Sequence, residues 1–142
     1  MISEAARLAR LRVPDDQTIA VTFVNDRQMA RINWDFLGHE GTTDVITFAY
    51  LEDGELLPGE TAVDLVICAD FAVREGARRR HSDYASELAL YVVHGLLHSA
   101  GEDDLAPETR RRMRRREREV MGELRKEFVF FAVFPAELPL TE

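Results

Sequence analysis

Two histidines, His94 and His98, stand four residues apart in the stretch His94-Gly95-Leu96-Leu97-His98-Ser99-Ala100-Gly101-Glu102-Asp103-Asp104. Four residues along an α-helix, two side chains leave the same face one turn apart, so both imidazoles converge on one point. Leu88, Leu90, Tyr91, Val92, Val93, Leu96 and Leu97 cover most of the helix that would carry them. A polar ring in such a setting needs a reason to be there. Gly101 permits a left-handed turn just past His98. Beyond that turn stand Glu102, Asp103 and Asp104, of which at least one can reach the same ion, giving His-x3-His-x2-Gly-x2-Asp. Three protein ligands and an open fourth position describe a catalytic zinc rather than a closed structural one. The competing reading is a pair of core histidines satisfied by hydrogen bonds above a capped helix end.

The residue after the first histidine also informs. A zinc peptidase of the His-Glu-x-x-His type needs a glutamate there as general base; this chain has Gly95. Any base must come from elsewhere, and Glu102, Asp103 and Asp64 are the nearest candidates by type.

These residues need elements to position them. Glu4–Arg12 reads as a short amphipathic helix broken by Pro14-Asp15-Asp16, and Thr18–Val24, rich in β-branched residues, as a strand. Asn25 or Asp26 caps a helix carrying Met29, Ile32 and Phe36, and the loop 38–42 leads to a second strand, Asp44–Tyr50. Leu51–Glu60, with Gly54, Pro58 and Gly59, reads as a hairpin connection to a third strand, Ala62–Cys68. Asp70 starts a helix to about Arg80, and Ser82 or Asp83 caps the central helix Tyr84–Ala100. A helix apolar nearly all round belongs at the centre of a domain. Pro107 suits the first turn of a last helix running to about Glu127. Phe128–Phe134 is an apolar run of strand length, either a further strand, the favoured reading, or an apolar patch that seeks a partner. The expected fold is α+β: one domain over 1–142, with a small mixed sheet of three or four strands against about five helices.

Composition narrows the setting. With 142 residues, 46% of them hydrophobic, the chain has material for one core. No apolar run approaches the roughly 18–20 residues that span a bilayer, and the start lacks the pattern of a signal peptide. The single cysteine, Cys68, reads as a buried thiol. These features lead to an expectation of a cytoplasmic protein away from membranes. A net charge of -8 would argue against nucleic acid if it were spread evenly, yet seven of the nine residues Arg110–Arg118 are arginine. The distribution of charge therefore matters more than its sum.

Four blocks in order resemble the YbeY family of bacterial metal-dependent endoribonucleases, over roughly residues 3–124, with 125–142 as a C-terminal extension. Met29-Ala30-Arg31-Ile32-Asn33 resembles the family's short helix with its Leu-Asn. Thr43-Asp44-Val45-Ile46-Thr47-Phe48 is similar to its Thr-Asp-Val-Leu-Ser-Phe strand, and Asp64-Leu65-Val66-Ile67-Cys68 to Gly-Asp-Ile-Val-Ile. The fourth block is His94–Asp104, followed by Met113 and Glu117. The resemblance implies that His94 and His98 are metal ligands. The family motif ends Gly-Tyr-Asp-His, so Asp104 falls where a third histidine is usual, with Asp103 the other candidate. Aspartate binds zinc at a similar distance and moves the preference toward harder ions such as manganese. The family's Tyr-Arg before the second strand is Phe36-Leu37 here, so its phosphate role would pass to His39 or to a distant arginine. The family usually opens with a strand before its first helix, whereas this sequence starts almost at the helix, and Phe128–Phe134 is expected to occupy some of the sheet edge left open.

The resemblance further implies hydrolysis of phosphodiester bonds in single-stranded RNA, in ribosomal RNA maturation and ribosome quality control, with a ribosomal subunit or its proteins as partners. Arg114, Arg115, Arg118 and His39 are the candidate RNA contacts; the competing reading of the arginine cluster is a solvated helix face paired with Glu117, Glu119 and Glu123. Two other classes of function compete: a metallohydrolase acting on a peptide-like substrate, and a non-catalytic ribosome assembly factor that uses the ion for folding.

Overall fold

A computed structural model describes residues 1–51 and 57–136. The elements are α1 (Ile2–Leu8), β1 (Thr18–Val24), α2 (Asp26–Ile32) running into a π-helical turn (Asn33–Leu37), β2 (Val45–Ala49) and β3 (Thr61–Cys68). After them come α3 (Ala69–Arg78), α4 (Tyr84–Ser99), α5 (Pro107–Glu127) and α6 (Phe130–Val133). The three strands form one sheet in the order β1-β3-β2. β3 pairs parallel with β1 and antiparallel with β2, so the sheet is mixed and the fold is α+β as expected. Part of the β2–β3 connection, residues 52–56, lies outside the described residues.

Side chains of a strand alternate between faces, and β3 uses both. Val63, Leu65 and Ile67 pack with Leu88, Val92 and Leu96 of α4 in the main core. Val66 and Cys68 join Val24, Met29 and Ile46 in a smaller cluster that includes α2. Cys68 is buried, as expected, and burial pushes its thiol pKa up. Gly95 sets how closely α4 approaches the sheet. A Cβ there would lie 2.6 Å from Leu65 Cδ2 and 3.0 Å from Thr47 Oγ1. The position that would carry a peptidase glutamate therefore faces packed strand and has no room for one.

Two ends of helices matter for the site. Asp83 accepts from Ser86 N–H at 2.8 Å and caps the start of α4. At the other end Gly101, with φ +105°, closes a Schellman turn: its N–H reaches His98 O and Glu102 N–H reaches Leu97 O, each at 3.0 Å.

Phe128–Phe134 corrects one expectation: this segment is not a fourth strand on the sheet edge. α5 ends where Phe128 turns extended, and the chain then forms α6. Phe130 and Phe134 are buried while Phe131 is 73% exposed, a spacing of four rather than the alternation of a strand. α6 packs against α4, and Phe134 meets Phe23 of β1 edge-on, with ring centroids 6.1 Å apart. A run apolar at every position fits either period, and here the face of α4 decided between them.

Candidate metal centre

α4 delivers His94 and His98 to the surface of the core, with side chains 25% and 31% exposed. Each ring is tethered through Nδ1. His94 Nδ1 lies 2.6 Å from Glu117 Oε1 on α5, and His98 Nδ1 lies 3.0 Å from the main-chain carbonyl of Glu102. A carboxylate and a carbonyl only accept, so Nδ1 carries the proton on both rings and Nε2 presents its lone pair. The two Nε2 atoms face each other at 3.0 Å. Asp104 completes the group, its carboxylate oxygens 3.9 Å from His94 Nε2 and 3.8 Å from His98 Nε2. One ligand atom from each of these three residues falls within 4.8 Å of the other two.

The donor set fits a divalent ion. Nitrogens held at about 2.0–2.1 Å by a tetrahedral ion sit roughly 3.3 Å apart. Two lone pairs at 3.0 Å repel unless a cation or a proton lies between them, and the Asp104 oxygens are too far away to hydrogen-bond either ring. On His94, burial works against the charged ring, but the Glu117 hydrogen bond and the charges of Glu117, Asp44 and Asp104 outweigh it, and the net pKa is raised. The site thus attracts positive charge.

The other candidates separate clearly. Asp103 turns away to accept from Leu105 N–H at 3.0 Å, and its carboxyl pKa is lowered by the Thr109 hydroxyl and that amide. Glu102 serves the site through its carbonyl, while its carboxylate pairs with Arg112 at 3.1 Å. Asp64 shares its face of β3 with Val66 and Cys68, on the side of the sheet away from α4. There burial raises its pKa, and Oδ1 has no partner. Neither Asp103 nor Asp64 is brought to the histidines.

Two carboxylates other than the expected bases do reach the pocket. In the sequence Glu117 stands out only as part of a matching block; in the structure its tether to His94 spans two helices. Asp44, at the mouth of β2, lines a hollow of about 320 Å³ with His94, Asp104 and Glu117. Its Oδ1 accepts from Val45 N–H at 2.7 Å and Thr43 Oγ1 at 3.3 Å, which leaves Oδ2 without a protein partner among the described residues. Its place beside Thr43 in a matching strand was the available signal.

Of the candidate RNA contacts, Arg114 lines the same hollow, together with Arg79 and Arg110. Arg118 lines the next one along α5. Arg115 lines neither, and His39 sits in an exposed loop outside both. Leu37 lines a separate hollow beside His94 and His98.

Comparison with known proteins agrees with this layout. The family model described as Endoribonuclease YbeY matches residues 2–125. An Endoribonuclease YbeY from Chlorobium luteolum is 40% identical over 106 residues, 75% of this chain and 73% of the relative. One from Staphylococcus carnosus is 36% identical over 98 residues, 66% of this chain and 63% of the relative. The solution structure of TM1509 from Thermotoga maritima superposes with a TM-score of 0.52 at 25% identity, covering 96% of this chain and 85% of that one. With the family model spanning nearly the whole described fold and the paired histidines in place on its central helix, this chain belongs to the YbeY family.

Proposed function

We propose that this protein is a metal-dependent endoribonuclease that cleaves single-stranded RNA, acting in ribosomal RNA maturation on or near a ribosomal subunit in the cytoplasm. The observation that carries the reading is the convergence of His94 Nε2, His98 Nε2 and the Asp104 carboxylate, with both Nδ1 atoms already tethered. Membership of a family of endoribonucleases supplies the substrate class.

In this reading His94, His98 and Asp104 hold one divalent ion. Zinc suits two imidazoles and a carboxylate, and manganese is the alternative that the carboxylate favours. An ion held there would supply Lewis-acid polarisation of a phosphate oxygen and a lowered pKa for water at the site. Glu117 fixes the His94 ring and makes it a better donor. Asp44, which lines the hollow and whose Oδ2 has no protein partner among the described residues, is the carboxylate placed to take a proton from the attacking water. Glu102 and Arg112 pin the turn after α4, which keeps the His98 tether in place.

The test is a substrate panel: an unstructured RNA and casein, each with and without a chelator, for the wild type, His94→Ala and Asp44→Asn. RNA cleavage should require the ion and fall about 10³-fold in His94→Ala, the scale of several kcal/mol of lost charge stabilisation. Asp44→Asn should lose cleavage while retaining metal. Hydrolysis of casein but not RNA, or RNA cleavage indifferent to chelator, would refute the reading.

A further inference from the structure

The arginine-rich helix α5 does not present one basic surface. At 100° per residue its arginines divide into three groups around the buried stripe of Met113, Val120 and Leu124. Arg112 and Arg116 lie on one flank and are engaged, the first with Glu102 and the second with Glu119 and the carbonyl of Leu8. Arg111 and Arg115 point directly away from the stripe. Arg110, Arg114, Arg118 and Arg125 follow the other flank, where α5 faces the corner between α3 and α4.

That flank borders two adjoining hollows, which together make a trough. The hollow at His94 and a second hollow of about 390 Å³ share Arg79, Leu90, Arg114 and Glu117. The opposite wall of the second hollow carries Arg79, Arg80 and His81. Five arginines and two glutamates, Glu87 and Glu117, line this second hollow, so it is strongly cationic in a chain of net charge -8. The trough is also built. Glu87 is 1% exposed, accepts from Ser82 Oγ at 3.0 Å and lies 3.7 Å from Arg79 Nε, which Glu75 also holds at 2.9 Å. Arg80, Arg114 and Arg118 have no carboxylate partner among the described residues. Like charges facing each other across a hollow repel unless an anion comes between them. From Arg110 to Arg125 the helix runs about 22 Å, long enough for several phosphates.

We propose that the RNA strand leaves the His94 pocket along this trough, its phosphates held by Arg79, Arg114, Arg118 and Arg80, and that the equally basic back of α5 takes no part. The inference rests on the ribonuclease reading above and adds the strand's path to it. It also divides the candidate contacts: Arg114 and Arg118 touch RNA and Arg115 does not.

The experiment compares two charge reversals of equal size on one helix, Arg114→Glu/Arg118→Glu and Arg111→Glu/Arg115→Glu. Anisotropy of a labelled, unstructured 20-nucleotide RNA is followed on the metal-loaded full chain between 50 and 300 mM KCl, before cleavage accumulates. The trough pair should weaken binding roughly 25-fold at 0.1 M salt and lower the slope of log K against log[salt] by about 1.4, two phosphates at about 0.7 each. The back-face pair should stay within about threefold, with its slope unchanged. Arg114→Gln/Arg118→Gln, a milder change whose fold is checked by thermal melting, should show the same loss of slope. Equal effects from the two faces, or a trough pair with the wild-type slope, would overturn the proposed path while leaving the ribonuclease reading standing. A wild-type chain that neither binds nor cleaves RNA would overturn both.

Discussion

His94 and His98 differ in how they are held, and the difference has consequences. His98 is tethered by a main-chain carbonyl that the Schellman turn at Gly101 fixes in place, so no side-chain substitution removes its partner. His94 depends on Glu117, one side chain reaching from α5. Outer carboxylates of this kind orient the ring and raise its basicity, and their loss typically costs 10–100-fold in metal affinity. Glu117→Gln should therefore weaken metal binding by about that factor, measured by competition with a chelating dye, while the RNA salt slope stays as in the wild type. Unchanged metal affinity would make Glu117 a packing residue only. Asp104 stands apart from both rings at a distance suited to sharing an ion with them rather than a proton.

Among the elements, α4 carries His94 and His98, and Gly95 seats it. Adding one methyl group there brings Cβ to 2.6 Å from Leu65 Cδ2, so Gly95→Ala must displace Leu65 or lift the helix from β3. Overpacking of this sort costs about 1–3 kcal/mol. The variant should melt several degrees lower, read by circular dichroism of the metal-free chain; an unchanged or higher melting point would show that Leu65 yields freely. The parts of the site that are local in sequence were legible there: the histidine pair, the glycine that ends the helix and the acidic run beyond it all lie within His94–Asp104. Strand and helix positions were legible too, because β-branched runs and capping residues mark them. What arrives through tertiary contact was not. Asp44 enters from β2 and Glu117 from α5, and nothing in their spacing to His94 announces it. Asp64 looked eligible by type, yet the alternation of β3 turns it to the opposite face. α6 forms where a strand is expected because a run of apolar residues carries no period until something packs against it.

At the scale of the molecule, the sheet divides the chain into two regions. One face holds α4, the ligand cluster and the basic trough; the other holds α2 and the Cys68 cluster, where Asp26 pairs with Arg74. No described helix is long and apolar enough to cross a membrane. Among the described residues, acids outnumber bases away from the two hollows while arginines outnumber acids along the second, an arrangement that favours a polyanion there. Everything in this functional reading depends on an ion at the end of α4. The most direct test is the metal content of the purified chain, measured by mass spectrometry beside Asp104→Ala and Asp103→Ala. About one ion per chain should be found in the wild type and in Asp103→Ala, and its loss in Asp104→Ala alone. Metal retained in both variants, or absent from the wild type after loading, would contradict the proposed centre.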